Sequence, residues 1–96
     1  MNICVLRIEY KMNEVFLIGN VIEKGDFKFI LKKSKHKSQI EIKVKLLDGN
    51  IITAIAYDKQ ADYVLRKKLK LVNIYGELKG KDTYNMKVKI LRIQNL

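Results

Sequence analysis

Residues 50–81 read NIITAIAYDKQADYVLRKKLKLVNIYGELKGK, and this stretch decides the fold. Residues 51–57 (IITAIAY) are apolar at nearly every position, as in a strand covered on both faces. Asp58 stands where a helix N-cap is expected, and Ala61, Val64, Leu65 and Leu69 follow at helical spacing, so a short helix runs to about Lys68. Arg66, Lys67 and Lys68 complement the dipole at its C-terminal end. Residues 71–79 return to strand alternation, with Gly76 inside it. One helix set between strands is the centre of a five-stranded barrel with a capping helix, a scaffold suited to single-stranded nucleic acid.

Working outward, Ile40, Ile42, Val44 and Leu46 alternate with Glu41, Lys43 and Lys45, which predicts a strand with one face buried and one in water. Asp48-Gly49 is the hairpin signal that follows. A two-residue turn there puts odd positions 51–57 on the side of even positions 40–46, so Lys43 and Lys45 adjoin Ala54 and Ile52 on the other face. Residues 15–22 (VFLIGNVI) and 27–31 (FKFIL) read as one long first strand kinked at Lys24-Gly25-Asp26. Gly19 marks a bulge or bend in it, and Phe16 belongs to the core. Residues 34–38 (SKHKS) read as a polar, cationic loop. Residues 84–93 (YNMKVKILRI) are the last strand, joined to the one before by a turn at 80–83. Strand, strand, strand, helix, strand, strand is the order of an OB-fold, an all-β barrel of five strands with one helix between strands three and four. The domain spans residues 12–96, and residues 1–11 form an N-terminal extension, a candidate extra edge strand.

The chain has 96 residues, one domain, and 48% hydrophobic residues supply a modest core. No apolar run approaches the roughly 20 residues that span a bilayer, so no membrane association is expected. The opening residues lack a small-residue cleavage site, and a single cysteine, Cys4, excludes an internal disulfide framework. Both point to a reducing cytoplasm, with Cys4 a small buried hydrophobe. The formal net charge is +10, from 20 Lys and Arg against 10 acids, and 17 of the 20 are lysine. AT-rich coding explains lysine over arginine but not the shortage of acids, so a polyanionic partner is expected.

Catalysis finds no support, and the chain is not expected to be an enzyme. His36 stands among lysines with no carboxylate or cysteine at ligand spacing, so no metal or other cofactor is expected. No phosphate-binding glycine loop or nucleophile elbow is present. The basic constellation is informative: Lys24, Lys28, Lys32, Lys33, Lys35, Lys37, Lys43 and Lys45 fall within 22 residues, against Asp26 and Glu41 alone. Phe27, Phe29, Tyr57, Tyr75 and Tyr84 offer rings on which bases stack.

The segments MNEVFLIGNVIEKGDFKF from Met12 and AIAYDKQADYVLRKKLKLVNIYGELK from Ala54, with VKILRIQNL at the end, together resemble the bacterial single-stranded DNA-binding protein family. The resemblance covers residues 12–96 and implies sequence-nonspecific binding of single-stranded DNA in replication or repair. It implies a base-stacking role for Tyr57, a phosphate-side role for Lys59, and assembly as a homodimer or homotetramer. Ile51 stands where the family often carries tryptophan, and Asp48-Gly49 replaces its long DNA-wrapping hairpin. The family's acidic C-terminal tail has no counterpart before Leu96, so a short form is expected, with no tail-mediated protein partners. The candidate interface comprises Lys28, Phe29, Lys32, Lys33, Lys35, Lys37, Lys43, Lys45, Tyr57, Lys59 and Tyr84. Alternation and resemblance disagree on Tyr57: the first sets it on the Ile51 and Ile55 side taken as core, the second in the groove. Two other readings stay open, an interaction module like the primosomal accessory proteins of this fold and an RNA-binding OB-fold.

Overall fold

A computed structural model describes residues 14–80 and 87–96, except for the side chain of Lys32. The N-terminal extension with Cys4, residues 81–83 of the last turn, and Tyr84 lie outside the described residues. The elements are β1 (Glu14–Lys24), β2 (Lys28–Lys32), β3 (Lys35–Leu46), β4 (Ile51–Tyr57), α1 (Lys59–Arg66), β5 (Leu71–Lys79) and β6 (Lys87–Asn95). They form one sheet in the order β1-β5-β6-β4-β3-β2, and a further β1–β3 pairing closes it into a barrel. Pairing is antiparallel except between β4 and β6, which run parallel at Ala54↔Val88 and Ile55↔Lys89. β1 and β2 both pair with β3, as one interrupted strand would, so the five-stranded barrel and its helix are those of an OB-fold.

Alternation builds the interior. Val15 and Leu17 of β1, Ile40, Ile42, Val44 and Leu46 of β3, Val72 and Ile74 of β5, and Val88 and Ile90 of β6 are buried. Two glycines permit strands to approach where the barrel closes. A Cβ on Gly19 would stand 2.6 Å from the carbonyl oxygen of Lys45, and one on Gly76 would collide with that of Lys89. Gly76 adjoins a β5–β6 register shift, whereas in the first strand the irregularity falls between Val21 and Glu23 rather than at the predicted Gly19. With the phase reversed there, the Lys24 ammonium reaches the barrel end and donates to the Lys67 carbonyl at 2.7 Å.

The β3–β4 turn departs from the two-residue expectation, with large consequences. The Gly49 amide donates to the Leu46 carbonyl at 2.9 Å, and the Leu46 amide donates to Asn50 at 2.8 Å, leaving residues 47–49 as a three-residue loop. Gly49 takes φ +94°, the conformation such loops need. Asp48 steadies the loop by accepting the Asn50 amide at 2.9 Å. One extra loop residue shifts the parity, and Ile40 pairs with Ala56, Ile42 with Ala54, Glu41 with Ile55 and Gln39 with Tyr57. Even positions of both strands therefore face the core, where Ala54 and Ala56 are fully buried. Lys43 and Lys45 stand opposite Thr53 and Ile51, not beside Ala54 and Ile52.

Helix α1 stops at Arg66, short of Lys68, and packs against β4, β3 and β6. Ala61 and Val64 are buried; Leu65 is 48% exposed, and Leu69 enters the core from beyond the helix. Asp58 holds the N-cap position without capping. With φ +51° it turns back to β3, where its amide donates to the Ser38 carbonyl at 3.0 Å and its carboxylate accepts the Ser38 amide at 3.3 Å. Two further corrections concern sequence taken as loop or core. Lys35, His36, Lys37 and Ser38 belong to β3, and only Lys33 and Ser34 form the tip turn, at φ +50° and +63°. Phe16 lies on the outer wall, 40% exposed.

Candidate nucleic-acid interface

The register of β3 and β4 gathers a continuous outer face. Because Gln39 pairs with Tyr57 and Lys28 with Gln39, all three share one side with Lys37, Glu41, Lys43, Lys45, Thr53 and Ile55. β6 extends this side, since Ile55 pairs with Lys89. Tyr57 is half-buried in its centre, with the Lys37 ammonium 5.8 Å from the ring centroid and the Lys89 ammonium 5.9 Å. Cations at this range are held by the ring's negative face. Lys37, Ile55, Tyr57, Lys79, Gly80, Lys87 and Lys89 line a recess of about 390 Å³, within the size range of small-ligand sites.

Two carboxylates temper the charge. Glu41 accepts from the Lys87 ammonium at 3.0 Å, and Glu23 faces that of Lys43 at 4.0 Å. These side chains stay about half in water, where an ion pair contributes little, so the face remains cationic.

The sequence-derived candidates divide by place. Lys28, Lys37, Lys43, Lys45 and Tyr57 share the face. Lys35 continues its alternation towards the tip of the β2–β3 arm, opposite the backbone of Lys32, and Lys33 is exposed in the tip turn. Phe29 pairs with Ser38 and so points to the other side of the arm, 77% exposed and edge-on to Phe27 at 5.2 Å. Lys59 is exposed at the start of α1. Tyr75, counted among the candidate rings, sits on the far wall, where it packs on Phe16 at 4.8 Å under the Arg92 guanidinium. Ile55, Lys79, Lys87 and Lys89 were missed. The alternation of Lys87 and Lys89 with buried Val88 and Ile90 was their signal, since it turns both lysines outward.

Among the described residues, no group of three or more His, Cys, Asp or Glu could hold a metal ion, and no helix is long and apolar enough to cross a membrane. No family model matches the chain, and no curated protein matches it in sequence. Among solved structures it is similar to a small single-stranded DNA-binding protein from Streptomyces coelicolor, with a TM-score of 0.51 and 14% identity. The match covers 90% of this chain and 94% of that one. At this identity the likeness is one of fold.

Proposed function

We propose that this protein binds single-stranded DNA along the outer face of β3, β4 and β6, as a binding protein and not an enzyme. The observation that carries the reading is the Tyr57 ring with the Lys37 and Lys89 ammonium groups 5.8 and 5.9 Å from its centroid, in a recess to which Lys79 and Lys87 add their charge. A single strand presents a flat base and a phosphate at each nucleotide. The ring takes the first by stacking, and the lysines take the second with release of counterions. Lys43 and Lys45 continue the cationic track towards one end of the face, Lys28 and Lys35 towards the arm. The likeness to the small single-stranded DNA-binding protein from Streptomyces coelicolor adds support at the level of fold. Self-association as a homodimer or homotetramer, and work in cytoplasmic DNA replication or repair, belong to the same proposal; sedimentation with and without oligonucleotide measures the first.

Titration of oligo-dT against the wild type and Tyr57→Ala tests the reading. Loss of one stacked base should weaken binding about tenfold, within the ~1–3 kcal/mol that stacking contributes. Unchanged affinity in Tyr57→Ala, or duplex bound as tightly as single strand, would overturn it.

A further inference from the structure

We propose that Glu41, together with Gln39, makes this face discriminate between bases, favouring cytosine over thymine on the Tyr57 ring. The inference rests on the single-strand reading above. Gln39 stands directly opposite Tyr57, and Glu41 one step along β3, opposite Ile55. Directly opposed side chains lie about 5 Å apart at Cβ and diagonal ones about 7–8 Å, so the edge of a base laid on Tyr57 falls within reach of both.

Glu41 is out of keeping with a face that only tracks phosphates. Its charge repels them, and it occupies Lys87 at 3.0 Å, one of the lysines of the recess. As a stabilising pair it contributes little, since its side chain is 41% exposed and that of Lys87 45%. What a carboxylate supplies, and lysines do not, is acceptors: ionised, it accepts hydrogen bonds and donates none. Cytosine presents its N4 amino group as a donor, whereas thymine presents the O4 carbonyl at the same place, and two acceptors face to face repel. The Gln39 amide NH2 group donates to the neighbouring ring nitrogen and O2 of cytosine, both of which are acceptors. When the Glu41 carboxylate turns to the base, Lys87 is released to a phosphate. Both pyrimidines have one ring, but thymine adds a C5 methyl group, so it is the change in their ratio on altering Glu41 that reports hydrogen bonding.

The experiment titrates oligo-dC and oligo-dT of equal length into the wild type, Glu41→Ala and Glu41→Gln, at matched salt and mildly alkaline pH, with circular dichroism to check folding. The wild type should bind oligo-dC about fivefold to tenfold tighter, as one charge-assisted contact allows. Glu41→Ala should abolish that ratio while tightening oligo-dT binding, and Glu41→Gln, which keeps a neutral acceptor, should retain part of it. Equal affinities in the wild type, or a ratio that survives in both variants, would overturn the inference and leave the single-strand reading standing. Failure of the wild type to bind either oligonucleotide would overturn both.

Discussion

Tyr75 donates its hydroxyl proton to the Glu14 carboxylate on the wall away from the candidate interface. That hydrogen bond raises its pKa above the ordinary 10.0, reinforced by lost hydration and by the charge of Glu14, with Arg92 pulling the other way. A raised folded-state value means that the stabilising contribution is complete below the unfolded pKa and is lost as pH climbs through the folded one. Stability should therefore fall at strongly alkaline pH. Tyr75→Phe should flatten that fall and remove a late-ionising tyrosine from an ultraviolet titration, and an unaltered high-pH limb would refute this. Tyr57 shows a different lesson at the same scale. The sequence offers its ring as a base-stacking candidate, yet its side of the sheet depends on residues 47–49, eight to ten positions earlier in the chain.

Each element carries its own local logic, and most of it is readable. The strict alternation of β3 identified its buried face correctly because period two and burial coincide there. The apolar β4 could not be treated this way, since both of its faces are apolar and the phase came only from the turn. Residues 34–38 misled for a related reason: lysines and serines suit a loop, but the β2–β3 arm is a two-stranded ribbon whose surfaces are both largely solvated, so no burial pattern marked it as strand. Gly76 can be tested at this scale. A methyl group there meets the Lys89 carbonyl and stands 2.8 Å from Val88 Cγ1, so Gly76→Ala should destabilise the β5–β6 pairing by about 1–3 kcal/mol in denaturant unfolding. A fully stable Gly76→Ala would mean that the two strands can separate without loss.

At the scale of the whole molecule, an excess of ten positive charges meets a barrel that gathers lysines from β2, β3, β5 and β6 around one side of the sheet. If four to six of them contact phosphates, log affinity should fall with log salt at a slope of about −3 to −4, from roughly −0.7 per contact on a single strand. Replacing Lys89 by alanine should reduce that slope by about one contact's share, and an unchanged slope would remove it from the phosphate-binding set. The sequence by itself determined the barrel, its element order, its core residues on β3 and its cationic character, because periodicity and composition are local quantities. Only the tertiary structure decided that Tyr57 faces outward, that Tyr75 and Phe29 point elsewhere, and that Lys79, Lys87 and Lys89 join Lys37 in lining one recess with Tyr57. The reason is physical: a single loop residue reverses the facing of a strand, and convergence across a closed barrel joins positions far apart in the chain.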